Sequence, residues 1–191
     1  MKKYKNKYRI KTTRLMNWDY GWNAAYFVTV CTNKYIHYFG EIENQKMRLS
    51  EIGELAEKYW DEIPQHFSFV QLGAFVVMPN HVHGIIIINK TDDTTNTINT
   101  VETPNLGVST NKTDKTTPGG KNPKWKPNTL GTIINQYKRI CTIHARQINP
   151  DFAWQPRYYD HIIRNQKSFN KISEYIINNP IKWDIDKYSM Q

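Results

Sequence analysis

The stretch from Phe75 to Ile88, FVVMPNHVHGIIII, decides how this chain is read. Val70 to Val77 and His81 to Ile88 are apolar, strand-like runs, and Met78, Pro79 and Asn80 between them supply Pro-Asn turn chemistry. The second run is dense in β-branched residues, which favour a pleated sheet. Its two histidines, His81 and His83, are two residues apart, and side chains at that spacing on a strand share a face. Both imidazoles therefore point the same way. A strand carrying them must lie in a sheet, so the rest of the chain is expected to provide partners and a cover.

Upstream, Ala25 to Thr32 (AYFVTVCT) reads as another strand, with a second around Tyr38 to Ile42, and the two look like a hairpin pair. From Ser50 a helical pattern follows, with Ile52, Leu55, Ala56, Tyr59 and Ile63 on one face and Pro64 at its end. Downstream of the histidines the composition changes: ten of the thirty residues from Thr91 to Gly120 are threonine. Residues 89–127 are thus expected to be a long loop within a single domain spanning 1–191. Helical periodicity returns at Leu130, Ile133, Ile134, Tyr137, Ile140, Cys141 and His144. Tyr158 to Arg164 (YYDHIIR) then reads as a strand, and Phe169, Ile172, Tyr175 and Ile176 as a last helix closed by Asn179-Pro180.

Charge narrows the partner. Lysine and arginine number 26 against 17 acids, giving a formal charge of +9 and an isoelectric point near 9.4. Such an excess favours a polyanion. No run reaches the roughly 20 apolar residues of a spanning helix, and no apolar signal core follows the basic start. The expected setting is cytoplasmic, with no membrane partner. Cys31 and Cys141 form no CxxC pair, so neither a disulfide framework nor a zinc ribbon is indicated. Within the basic arm of residues 1–20, the stretch from Lys2 to Arg14 carries Lys2, Lys3, Lys5, Lys7, Arg9, Lys11 and Arg14 and no acid. It reads either as a phosphate-contacting arm or as a solvated terminus.

Two imidazoles on one strand are half of a metal site, and a divalent ion there could polarise a phosphoryl oxygen. The bland alternative is an adventitious pair, one histidine exposed and the other satisfied in the core. Tyr137 is the candidate nucleophile, since a helix packed on the sheet by its apolar stripe would aim a tyrosine at the histidine strand. The same stripe is also what any packed helix shows. A tyrosine near its reference pKa of about 10 needs activation by its surroundings.

At these residues the chain resembles the HUH single-tyrosine transposases of insertion sequences, and especially their REP-associated branch. The resemblance runs from Tyr26-Phe27-Val28-Thr29 through VVMPNHVHGII (76–86) and LGTIINQYKR (130–139) to WQPRYYDHIIRN (154–165) and YIINNPIKW (175–183). It implies an α+β, RRM/ferredoxin-like fold, an antiparallel sheet flanked by helices. It further implies that His81 and His83 hold a divalent ion, Mg²⁺ or Mn²⁺, on a scissile phosphate that Tyr137 attacks. The product would be a 5′-phosphotyrosine and a free 3′-OH, which a later 3′-OH can reverse without ATP. Substrates in the family are single-stranded DNA with imperfect hairpins, and its members work as a monomer or homodimer.

One position departs from the family pattern. Relatives often place glutamine or asparagine one helical turn after the tyrosine as third ligand, and after Tyr137 that position is Cys141. Cys141 or His144, at i+4 and i+7 on about the same helix face, would have to serve instead. Lys138, Arg139, Arg157 and Arg164 complete the expected DNA contacts, and Trp125, Trp154, Tyr158 and Tyr159 could stack on unpaired bases. The competing function is a non-catalytic, domesticated or decayed hairpin-binding protein on the same fold.

Overall fold

The computed structural model describes residues 3–4, 7–8, 14–15, 17–91 and 127–185. The elements in chain order are β1 (Lys3–Tyr4), β2 (Lys7–Tyr8), β3 (Ala24–Cys31), β4 (Gly40–Glu43), β5 (Lys46–Leu49), α1 (Glu51–Asp61), α2 (Ile63–His66), β6 (Val70–Met78) and β7 (His81–Ile88). After the long loop come α3 (Leu130–Ile148), β8 (Tyr159–Ile163), α4 (Gln166–Ile177) and a 3₁₀ segment, Pro180–Ile185. The expected loop 89–127 and most of the basic arm fall outside the described residues.

The main sheet is antiparallel throughout, in the order β6-β7-β3-β8. The α+β, single-domain reading holds. The pairing expected for residues 38–42 does not: β4 pairs with β5, in a separate two-stranded ribbon. β3 instead takes β7 and β8 as its neighbours. Asn44 and Gln45, both at positive φ, turn the chain straight back into β5, so the local hairpin forms in place of the longer-range one.

Strand alternation divides the sheet into two faces. On one, Tyr26, Val28 and Val30 of β3 join Val82, Ile86 and Ile88 of β7 in the main core with α1 and α3. On the other, Phe27 and Ile85 meet Ile163 of β8 and Ile176 of α4. Since His81 and His83 lie in phase with Ile85, they belong to the α4 face.

The helices start where their capping residues stand. Ser50 accepts from the Gly53 amide ahead of α1, Thr129 from Thr132 ahead of α3, and Asn165 from Ser168 ahead of α4. Pro64 does not end the helical region as expected; it sits in the first turn of α2, where a missing N–H is no loss. Gly84 sets the approach of α1, because a Cβ there would come within 2.2 Å of the Trp60 indole, which stacks on Phe75 at 4.5 Å. The two ends of the long loop are drawn together by Lys90, whose Nζ donates to Gly21 O at 2.6 Å and Asn128 O at 2.8 Å.

Candidate active site

His81 and His83 are both fully buried, and their Nε2 atoms lie 3.0 Å apart. Each ring is fixed by its other nitrogen. His81 Nδ1–H donates to Asn80 Oδ1 at 2.8 Å, and His83 Nδ1 shares a 2.8 Å hydrogen bond with Thr29 Oγ1. The first bond selects the tautomer that leaves the His81 Nε2 lone pair directed at its neighbour. Outer partners that orient imidazoles in this way are a recurring feature of metal-ligating histidines. Trp183, from the 3₁₀ segment, lies stacked beside His81 with ring centroids 6.1 Å apart and planes 28° off parallel.

Tyr175 of α4 completes the cluster. Its hydroxyl is 3.3 Å from His83 Nε2, and its ring packs against His83 at 5.3 Å and edge-on to Phe27 at 6.2 Å. α4 presents it because Phe169, Ile172 and Ile176 seat the helix on the same sheet face, and Tyr175 lies three residues past Ile172. Asn179, one turn further on, is buried. A cleft of about 560 Å³ opens over the cluster, lined by Phe27, Thr29, His83, Tyr159 and Tyr175, with Lys171, Glu174 and Lys182 at its rim.

Tyr137 is elsewhere. It is 2% exposed in the core on the opposite face, donates to Ala56 O at 3.0 Å, and meets Trp60 and Trp154 edge to face or tilted. The sheet lies between it and the histidines, and burial followed by the nearby Cys141 pushes its phenol well above the ordinary tyrosine range. The expected nucleophile is therefore a core residue, because α3 packs on the Val82/Ile86 side of β7. Cys141 and His144 share that displacement. Cys141 is buried with Tyr137, its thiol pushed up by desolvation, while His144 bonds Ile140 O and packs on Tyr59. Among the described residues no group of three or more His, Cys, Asp or Glu side chains could hold a metal ion.

The expected DNA contacts divide similarly. Lys2, Lys3, Lys5, Lys7, Arg9 and Lys11 have no described side chains. Arg14 is an internal strut: it bonds Asp160 and the Tyr158 hydroxyl and lies over the Tyr20 ring. Lys138 is likewise committed, donating to Gln155 O at 2.7 Å and Arg157 O at 3.0 Å, and burial lowers its pKa to about 8. Arg139 is exposed on α3, away from the histidine face. Arg157 is exposed at positive φ, and Arg164 lines a second cleft beside β8. The sequence analysis did not single out Tyr175, Lys171 or Lys182, which the structure brings to the cleft beside His83. The available signal was the spacing Tyr175–Asn179, which supplies the polar residue one turn after a tyrosine that Cys141 fails to supply for Tyr137.

The fold is shared with a REP-associated tyrosine transposase bound to a REP hairpin, to which the structure aligns at a TM-score of 0.56, over 91% of this chain and 74% of that one, at 18% identity. No family model matches the chain. An uncharacterized protein of Haemophilus influenzae is 35% identical over 182 residues, 93% of this chain and 91% of the relative, so the chain belongs to the same family as that protein. Among the described residues no helix is long and apolar enough to cross a membrane.

Proposed function

We propose that this chain is an HUH-type DNA transposase-like nuclease and strand transferase in which Tyr175, not Tyr137, is the nucleophile. The observation that carries the reading is the 3.3 Å approach of the Tyr175 hydroxyl to His83 Nε2, itself 3.0 Å from His81 Nε2. The His81 Nε2 lone pair faces His83 Nε2, so either the His83 Nε2 proton or a metal ion in its place can bridge the two rings. At 3.0 Å apart the two Nε2 atoms are close enough to serve one divalent ion together. In this reading His81 and His83 would hold Mg²⁺ or Mn²⁺ together with oxygen donors, and Asn179, buried four residues after Tyr175, would take the third-ligand role expected of Cys141 or His144.

When bound, such an ion withdraws charge from the scissile phosphate and stabilises the pentacovalent transition state. The chain's own residues do the rest. Thr29 and Asn80 hold the imidazoles in register, and α4 holds the Tyr175 oxygen beside them. The phenol oxygen forms the new bond to phosphorus as the bond to the 3′ oxygen breaks, giving a 5′-phosphotyrosine and a 3′-OH. The phenolic proton passes to solvent in the open cleft, and the leaving oxygen takes one up. Because one phosphoester replaces another, the strand can be rejoined by the reverse attack. Lys171, Lys182 and Arg164 are positioned for neighbouring phosphates, and one chain supplies histidines and tyrosine together, which supports a functional monomer. That the REP-associated transposase of this fold is bound to a REP hairpin supports a hairpin as the DNA partner here.

The test is covalent trapping with Mn²⁺ or Mg²⁺ and labelled single-stranded hairpins drawn from DNA flanking the gene. The reading predicts a metal-dependent adduct that Tyr175→Phe abolishes and Tyr137→Phe retains. Tight binding without an adduct in either metal would instead favour the non-catalytic hairpin-binding protein.

A further inference from the structure

Four aromatics were candidates for stacking on bases, and their surroundings separate them. Trp125 lies outside the described residues. Trp154 packs between Phe39, Phe152 and Tyr137 and donates its indole N–H to Lys138 O. Tyr158 packs against the main core, with its hydroxyl taken by Arg14. Tyr159 alone turns to the histidine face, where it is 49% exposed on the edge strand β8.

Two clefts meet at this ring. Tyr159 lines the cleft over His83 and Tyr175 and also the neighbouring one, about 440 Å³, which carries His161, Arg164, Asn165 and Ser168. The ring is braced from below by Phe27, edge-on at 6.2 Å, and Phe27 makes the same kind of contact with Tyr175 at 6.2 Å. Tyr159 and Tyr175 thus flank one buried ring and are at most about 12 Å apart, within reach of adjoining nucleotides on one strand. Asp160, the acid of the second cleft, is held by Arg14, so Arg164 is left to set the sign of the field there.

We infer that Tyr159 is a stacking platform for an unpaired base of single-stranded DNA, and that the strand runs from Tyr175 across Tyr159 toward Arg164. This rests on the reading of the His83–Tyr175 cleft as the site of strand cleavage. A half-exposed phenol ring held in place by Phe27 suits any base, since stacking draws on the π-face that all bases share. A nucleotide so held would have its backbone directed between the two clefts, fixing which phosphate reaches Tyr175.

The test uses hairpin oligodeoxynucleotides with four-nucleotide single-stranded flanks, 2-aminopurine replacing each flank base in turn, and the full-length chain. At one flank position the wild type should quench fluorescence. Tyr159→Ala should lose that quenching and weaken binding about five- to hundredfold, while Tyr159→Trp should retain both. The alanine variant should also spread cleavage over neighbouring phosphates, a change that mere loss of stability would not produce. Unchanged quenching at every flank position in Tyr159→Ala overturns the inference while leaving Tyr175 as nucleophile, if the adduct still forms. Absence of both binding and adduct in the wild type overturns this inference and the cleavage reading together.

Discussion

Replacing Tyr137 with phenylalanine separates the core role argued above from a catalytic one. The substitution removes one hydroxyl, which donates to Ala56 O at 3.0 Å in a fully packed region. Ala56 lies within α1, whose i to i+4 ladder already supplies its carbonyl with the Trp60 amide, so the carbonyl is not left orphaned. The loss is then the net worth of one neutral hydrogen bond, about 1 kcal/mol, and not the larger penalty of a buried unsatisfied group. For a chain of this size that lowers Tm by about 2–4 °C. The aromatic contacts with Trp60 and Trp154 survive, whereas Tyr137→Ala would forfeit them and cost about 3–5 kcal/mol. Urea unfolding and metal-dependent trapping, run on the same preparation, should show a small destabilisation with full adduct yield at a temperature where both proteins are folded. Unchanged stability together with a lost adduct would refute the reasoning.

Three further outcomes follow from particular contacts. Gly84→Ala should destabilise by at least about 1–3 kcal/mol, seen as a lower urea midpoint, because the new Cβ would overlap a Trp60 ring pinned by Phe75; a neutral effect would mean that α1 can move off the sheet. Lys138 has its folded pKa lowered to about 8 by burial, against about 10.5 unfolded, so between those values the unfolded state binds more protons. The stability of wild type relative to Lys138→Met should therefore rise from pH 8 to 10.5 in chemical denaturation, and a flat or falling difference would count against the assignment. Replacing residues 92–126 with a short Gly/Ser linker should preserve the fold and raise stability by about 1 kcal/mol through a smaller closure entropy, since Lys90 already joins both ends of that loop; loss of cooperative unfolding would show that the segment is integral to the domain.

Much of the fold was legible because its signals are local. β-branched runs with Pro79-Asn80 between them mark β6 and β7, and Ser50 marks the start of α1 through a bond made within three residues. The pairing of β4 was misread because proximity in sequence to β3 says nothing about a turn set by Asn44 and Gln45. The histidine pair was legible from its period of two. Which tyrosine faces that pair was not, because an apolar stripe shows that a helix packs on a sheet but not on which face. Tyr137 and Tyr175 both sit in such stripes; Val82 and Ile86 draw α3 to one side, while Phe27 and Ile85 draw α4 to the other. Only the polar residue a turn beyond, Asn179 against Cys141, distinguished the two in the sequence.

The most direct test of the central claim is to digest the wild-type covalent adduct with protease and locate the nucleotide-bearing residue by mass spectrometry. The account predicts the modification on the peptide containing Tyr175, with the peptide containing Tyr137 unmodified. Modification of Tyr137 would contradict it, since the phenol would have to leave the core and cross the sheet to reach a phosphate held at His81 and His83.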